Sequence, residues 1–424
     1  MLTNAPRGTK DILPETVGSW QYLETKIRDL CRCYGYGEIR TPTFEHTELF
    51  RRGIGEGTDV VDKEMYTFQD RGERSITLRP ENTASTVRAY LQNKLYASSP
   101  VKLFYIGSMF RYDRPQAGRL REFHQFGVEV LGEASAAVDA EVILLAWDLL
   151  KSLGLEDLTV SLNSVGCPKC RPAYRAALQD FFRDKLPELC SDCQSRFERA
   201  PLRILDCKVD GGKDFMADAP KITDCLCDEC REHFQAVQEY LTALKVNFAL
   251  DPRLVRGLDY YTKTAFEIKI PSLGAQSAVA GGGRYDGLVK EIGGNDTPAV
   301  GFALGMERVL MTLEQAGKLP PPNDKADVFV VAAGDAAKIP AFELITACRR
   351  AGYTALMDYA GRSFKSQMKQ ADKAKAPVAL ILGEDEVRDS MVTVKNMASS
   401  QQEKVPLGEA VAKLAAILSE RKGE

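Results

Sequence analysis

The chain has 424 residues, with 56 Lys+Arg against 59 Asp+Glu and a formal charge of −3. That length fits two or three domains, its 44% hydrophobic residues can bury a large core, and the charge balance argues against a bulk nucleic-acid coat while leaving room for local basic patches. No apolar run approaches the ~18 residues of a membrane span, and the N-terminal stretch lacks the apolar core of a signal peptide. A cytoplasmic protein with no membrane partner is expected.

In chain order, apolar periodicity predicts helices over 18–33 and 81–98, strands over 103–110 and 122–131, a helix over 136–154 and a strand over 159–163. Strands over 265–270 and 277–280 and a helix over 303–317 follow. Strands that come in groups predict an antiparallel sheet in an α+β domain. Between Ser164 and about Val246 the composition shifts to cysteine, charge and long helix, the mark of an insertion. Three prolines, Pro320 to Pro322, then signal a linker, because they cannot continue a helix. Beyond it, strands over 326–333, 353–357, 378–382 and 391–394 alternate with helices over 336–350, 363–375 and 408–421. Such alternation predicts a small α/β domain with a largely parallel sheet. The expected division is one domain in two parts (1–165 and 247–320), a helical insertion (166–246), and a last domain (326–424).

Neither Gly-Lys pair is followed by Ser or Thr, no G-x-G-x-x-G opens a helix after a strand, and the three histidines are far apart. If ATP is used, arginines must hold its phosphates. Four lie within eleven residues: Arg111, Arg114, Arg119 and Arg121. They occupy a strand–loop–strand stretch whose returning strand carries Phe123, Gln125, Gly127 and Glu129 on one face. A Gln/Glu pair with a glycine clearing space between them suits a small polar ligand; the plain alternative is a solvated hairpin. Three further segments stand out: Arg256-Gly257-Leu258-Asp259-Tyr260-Tyr261, the glycines 281–283 after a strand, and Gly301 to Arg308, a strand running into a helix.

Eleven cysteines include three C-x-x-C pairs, Cys167/Cys170, Cys190/Cys193 and Cys227/Cys230, with Cys207 and Cys225 left over. Such pairs are the usual half-sites of a tetrahedral Cys₄ zinc. Tyr174, Ala177, Leu178, Phe181, Phe182 and Leu186 follow helical spacing, so a helix over 171–186 would be roughly 24 Å long. Phe234, Val237, Tyr240, Leu241 and Leu244 mark a return helix. If the two run antiparallel, Cys227 and Cys230 begin the return near Cys190 and Cys193 at the far tip. The ligand set expected is therefore Cys190, Cys193, Cys227 and Cys230, as a structural site; unmetallated thiols are the alternative.

Together these segments resemble the class II aminoacyl-tRNA synthetases and, more closely, the histidyl-tRNA synthetase family. Residues 37–42 resemble motif 1 of the class, the Phe110–Glu129 hairpin motif 2, and Gly301–Arg308 motif 3. Leu254–Tyr261 and Ala280–Asp286 resemble the two segments peculiar to the histidine-charging members. The likeness runs from Arg7 into the last domain, and the Arg-Gly-Leu-Asp-Tyr-Tyr stretch makes it specific.

The resemblance implies a six-stranded antiparallel catalytic sheet, an α/β anticodon-binding domain, and joining of L-histidine to tRNA through histidyl-adenylate. It implies Arg111, Arg256 and Arg308 as catalytic and ATP-binding residues, with Arg119 and Arg121 also near ATP. It implies Glu81, Thr83, Gln125, Glu129, Tyr260 and Tyr261 around histidine, Mg²⁺ on the ATP phosphates, and a homodimer. In the last domain, Arg362, Lys365, Lys369, Lys373 and Lys375 give one helix a basic bias that suits tRNA, or simply a solvated face. The competing reading is a non-catalytic paralogue that regulates histidine biosynthesis. Such proteins typically lose the anticodon domain and erode the Arg-Gly-Leu-Asp-Tyr-Tyr segment.

Overall fold

A computed structural model describes residues 3–55, 58–115, 118–207, 209–271, 278–321 and 325–420. Pro322 to Asp324 of the expected linker, Gln116 and Ala117 of the arginine-rich loop, Ser277 and Arg421 lie outside the described residues. The chain forms two compact units, one built on Ser19–Pro320 and one on Pro321–Glu424.

The strands of the first unit are β1 (Gly37–Glu38), β2 (Phe44–His46), β3 (Tyr66–Gln69), β4 (Ser75–Leu78), β5 (Val101–Phe110), β6 (Glu122–Leu131), β7 (Thr159–Ser164), β8 (Phe248–Leu250), β9 (Thr262–Lys269), β10 (Ala278–Arg284) and β11 (Ala299–Gly305). Its helices are α1 (Pro14–Cys33), α2 (Thr47–Ile54), α3 (Thr83–Gln92), α4 (Ala136–Ser152), α5 (Arg171–Arg183), α6 (Ser191–Arg199), α7 (Asp228–Ala243), α8 (Leu288–Glu291) and α9 (Met306–Gln315). The main sheet has the order β1-β5-β6-β11-β10-β9-β7-β8. The six strands from β5 to β7 pair antiparallel, while the short β1 and β8 join the edges in parallel. A separate sheet pairs β2, β4 and β3.

Strand alternation decides which face is dry. Phe126, Val128 and Val130 of β6 enter a core with Leu23 and Ile27 of α1, Ile143 and Leu149 of α4, Phe234 and Leu241 of α7, and Val309 of α9. Each such side chain contributes about 1.5–3 kcal/mol when fully buried. The intervening residues, Gln125, Gly127 and Glu129, therefore point to the opposite face.

Several boundaries differ from expectation. The helix foreseen from 81 begins at Thr83 and ends at Gln92, and a separate 3-10 turn covers Leu95–Ser98. The helix foreseen from 303 starts only at Met306, because β11 runs to Gly305. The glycines 281–283 are not a turn but the middle of β10. A Cβ on Gly282 would stand 2.1 Å from the Gly301 carbonyl oxygen, so glycine there permits strand packing.

Residues between β7 and α7 build a small core of their own, with Tyr174, Leu178 and Phe182 of α5, Phe197 of α6, Ile204 and Met216. The second unit contains β12 (Val328–Ala332), β13 (Ala355–Met357), β14 (Val378–Leu382), β15 (Met391–Asn396) and β16 (Gln402–Pro406), with α10 (Lys338–Arg350), α11 (Phe364–Lys373), α12 (Glu384–Arg388) and α13 (Ala410–Glu420). In the order β13-β12-β14-β15-β16, the first three strands are parallel and the last two return antiparallel. The sheet is thus mixed. β16 escaped notice because of its five residues only Val405 is buried, which leaves no periodic signal. Among the described residues, no helix is long and apolar enough to cross a membrane.

Candidate active site

A cavity of about 190 Å³ opens on the polar face of the main sheet. Glu129 is 1% exposed at its floor. Its carboxylate accepts from the Thr83 hydroxyl (2.8 Å), from the Tyr105 hydroxyl (3.4 Å) and, at very short range, from the Tyr285 hydroxyl. Burial nevertheless dominates these donors and pushes the Glu129 carboxyl up to about 8. Glu81 is also buried, and its carboxylate accepts from the Thr83 (2.6 Å) and Ala84 (3.0 Å) N–H groups at the start of α3. Burial raises its pKa as well, against those N–H groups. Two buried carboxyls that resist ionisation in one small cavity call for a cation.

The same lining supplies the opposite charge. Arg111, just past the end of β5, donates from Nε to the Pro80 carbonyl (2.8 Å), which fixes its guanidinium over the cavity edge. Arg256 pairs through Nη1 with Glu267 at 2.5 Å, and its Nε is buried without a hydrogen-bond partner. Burial pulls its pKa down, but Tyr261 and Glu267 outweigh burial and hold it above the ordinary value. Gln125 Oε1 is likewise buried without a partner. Unpaired acceptor and donor atoms in a cavity wall are the mark of a polar ligand's place, since each unmade bond costs about 1–3 kcal/mol. Tyr260 and Tyr261 complete the lining, with ring centroids 4.7 Å apart.

A wider cleft of about 630 Å³ shares Arg111, Gln125, Arg256 and Gly281 with this cavity and continues along Arg119, Phe123 and Arg308. Arg308 rises from the first turn of α9 and donates to the Ala278 carbonyl at 2.9 Å. Burial, and then the nearby Arg119, pull its pKa below the ordinary value. An anion between these arginines would relieve both effects. Arg119 is held by Asp113 at 3.3 Å. Arg121 is the exception among the expected ATP contacts: it does not line the cleft. Its guanidinium lies 3.8 Å from the centre of the Tyr112 ring, and its stem packs against Gly8.

Sequence reasoning missed three residues of the constellation. Tyr105 lies opposite Gly127 in the β5–β6 register, and a Cβ there would meet its hydroxyl at 2.3 Å. Gly127 thus makes room for a phenol rather than for the ligand. Tyr285 and Glu267 were also passed over. Glu267 pairs with Gly281 in the β9–β10 register, and a Cβ on Gly281 would stand 2.6 Å from the Arg256 guanidinium. Cross-strand register carries this information, and the only local signal was a glycine in a strand.

Arg284, the residue before Tyr285, is anchored by a buried ion pair. Asp139 and Arg284 have fully buried side chains and meet at very short range; Asp139 also accepts from the Thr264 hydroxyl (2.5 Å) and pairs with His233 Nε2 (2.8 Å). Burial raises the Asp139 pKa, but His233 and Arg284 more than offset that and hold it below the usual carboxylate range.

The cysteines group otherwise than expected. Cys167, Cys170, Cys227 and Cys230 bring their sulfurs together, while Cys190 and Cys193 gather with Cys207 and Asp210. The pairing of Cys190 and Cys193 with Cys227 and Cys230 is therefore corrected. Its premise was that α7 starts at the far tip of α5. Instead α5 ends at Arg183, and α6 and a series of 3-10 turns bring the chain back first. The apolar stripe of α7 (Phe234, Val237, Leu241) then packs into the main core, not against α5. The overlooked signal was Cys207-Lys208-Val209-Asp210, a fourth half-site with an aspartate in place of the second cysteine.

Known proteins resemble the chain over nearly its whole length. The family model described as histidyl-tRNA synthetase matches residues 8–309, and that of the anticodon binding domain matches 327–417. The chain belongs to the histidyl-tRNA synthetase family. The histidine–tRNA ligase of Moorella thermoacetica is 57% identical over 412 residues, covering 97% of each chain. That of Desulforamulus reducens is 56% identical over 412 residues, covering 97% of this chain and 98% of its own. The crystal structure of the apo histidyl-tRNA synthetase of S. aureus superposes with a TM-score of 0.82 at 40% identity, covering 97% of this chain and 99% of that one. Within the family, the six antiparallel strands form the catalytic sheet expected of class II synthetases.

Proposed function

We propose that the chain charges tRNA with histidine in two steps, and that both take place in the joined cavity and cleft. One observation carries this reading. Two buried carboxyls, Glu81 and Glu129, and two guanidiniums, Arg111 and Arg256, line one cavity of about 190 Å³, a set of charges complementary to a free amino acid. The ammonium falls to the carboxyls and the α-carboxylate to Arg111, which leaves Arg256 for the α-phosphoryl group. The hydroxyl-braced Glu129 and the Tyr260/Tyr261 pair meet the imidazole, whose two nitrogens need polar partners. A site built this way rejects apolar amino acids, because its buried groups would stay unpaired.

In the first step a carboxylate oxygen of histidine attacks the α-phosphorus of ATP, and pyrophosphate leaves. Negative charge gathers on the α-phosphoryl oxygens, where Arg111 and Arg256 hold fixed positive charge. Arg308, with Arg119, receives the tail phosphates in the wider cleft. Magnesium takes most of its ligands from phosphates and water and needs only one or two carboxylates. Glu64 and Glu267 in the cleft wall suit it, and when bound it would neutralise phosphate charge. In the second step a ribose hydroxyl at the tRNA end attacks the acyl carbon, and AMP leaves.

The domain roles follow. Residues 1–165 and 247–320 form the catalytic domain, 166–246 the insertion, and 326–424 the anticodon-binding domain. In that last unit Lys365, Lys369 and Lys373 stand exposed on α11. A separate cavity of about 330 Å³ there is lined by Ile339, Phe342 and Tyr359, and the two aromatic rings offer stacking surface to an unpaired base. A cytoplasmic setting and a homodimer complete the proposal. The regulatory-paralogue reading is not favoured, since the anticodon-binding unit is present and Arg256, Tyr260 and Tyr261 line the cavity. Histidine-dependent ATP–pyrophosphate exchange tests the function: exchange with histidine alone among the amino acids supports it, and no exchange at any histidine concentration refutes it.

A further inference from the structure

We infer that the insertion is a two-zinc subdomain, with one Cys₄ ion at its root and one Cys₃Asp ion in the wall of the ATP cleft, and that the pair fixes the segment from Arg256 to Tyr261. The first observation is metric. Cys167 Sγ lies 3.6 Å from Cys170 Sγ and 3.9 Å from Cys227 Sγ, and Cys190 Sγ lies 3.7 Å from Cys207 Sγ. A zinc with bonds of about 2.3 Å in a tetrahedron sets its sulfurs roughly 3.8 Å apart. A disulfide would need about 2.05 Å. All ligand atoms within each group lie within 4.8 Å of one another.

The second observation is the arrangement of the surroundings. The Cys227 N–H donates to Cys170 Sγ at 3.2 Å, the kind of bond that stabilises a metal-bound thiolate. Asp210, fully buried, accepts from the Cys190 N–H at Oδ2 (3.0 Å) and pairs with Lys213 at Oδ1 (2.9 Å), which orients the carboxylate while each oxygen keeps a lone pair for a metal. The third is size. The segment between β7 and α7 has a small core built on two short helices and a series of 3-10 turns, and a unit of so few residues usually requires a disulfide or metal staple.

Both groups lead to one place. Arg171, next to Cys170, donates to the Tyr261 carbonyl, and the Lys263 N–H donates to the Gly166 carbonyl at 2.9 Å. From the second group, Cys207 and Val209 line the cleft, and Arg203 donates to the Arg256 carbonyl at 3.1 Å. The root ion thus holds the Tyr261 end and the cleft ion holds the Arg256 end. The cysteines and Asp210 are positioning residues, which act through Arg203 and Arg171 on the segment that meets the substrates.

The metal content does not depend on the ligase reading, whereas the positioning role rests on it. Metal analysis of the native chain by mass spectrometry should give two zinc ions. Cys167→Ser with Cys170→Ser should leave one, and Cys190→Ser with Cys193→Ser should leave one. If either variant fails to fold, stepwise mercurial titration of the native chain should still release two zinc ions to a colorimetric chelator. Zinc-free protein, iron in place of zinc, or a single ion would overturn the assignment. For the role, Asp210→Cys should keep both ions and near-native exchange. Asp210→Ala should keep one ion and lose roughly tenfold or more in exchange through the KM for ATP or kcat, with histidine affinity by calorimetry essentially unchanged. Unaltered exchange in Asp210→Ala after loss of its ion would overturn the role. Absence of exchange in the native chain would count against the ligase reading and leave the metal count standing.

Discussion

Glu129 concentrates the chemistry of recognition in one carboxyl. Its pKa, pushed up to about 8 by burial, means that the empty folded state keeps a proton that the unfolded chain releases at the ordinary value. The resulting contribution to stability is complete at low pH and is lost as pH rises through about 8. A bound ammonium or ring N–H reverses the preference and favours the carboxylate. Histidine binding near pH 7.5 should therefore expel up to about one proton, measurable by calorimetry in buffers of different ionisation enthalpy. Glu129→Gln should abolish that release and weaken histidine, while ATP binding holds. Proton-neutral binding by the native chain would contradict this account. Arg111, Gln125 and Glu129 were legible in the sequence because one hairpin carries them with a period of two. Tyr105, Tyr285 and Glu267 were not, since they reach the site through strand pairing between residues far apart in the chain.

Among the elements, β10 shows how a glycine run can be misread. Gly281 to Gly283 suggest a turn, yet each sits in a strand between two others. Their crowding differs in kind. A Cβ on Gly282 would strike backbone, whereas one on Gly281 would first meet the far end of the flexible Arg256 side chain. Gly281→Ala should accordingly leave the melting temperature within about 2–4 °C, a shift that corresponds to about 1 kcal/mol or less in a large domain. The same substitution should displace the guanidinium and lower the rate of exchange by roughly 10- to 100-fold. A native rate with a native fold would show that the Arg256 position is not critical. The insertion teaches a second lesson about elements. Helical spacing located α5 and α7 correctly, but not which surface each one covers. That surface is set by α4 and the main sheet, and it moved the root cysteines together.

At the scale of the molecule, the two units were visible from the proline run and from the change from grouped to alternating strands. The edge strands β1, β8 and β16 and the three-stranded sheet were not, because they are short and half exposed. That small sheet presents Phe44 (56% exposed) and Phe68 (49% exposed), apolar side chains that suit a subunit interface. Sedimentation at micromolar concentration should give twice the mass of one chain; a monomer would contradict the homodimer.

The central claim is that a fixed guanidinium from Arg256 stabilises charge on the α-phosphoryl group as histidine is activated. Single-turnover formation of histidyl-adenylate by Arg256→Ala tests it most directly. The rate should fall by roughly 100-fold or more, with histidine affinity by calorimetry within about threefold of native, as expected when a lost interaction belongs to the transition state. Adenylate formation by Arg256→Ala at near the native rate would contradict the account.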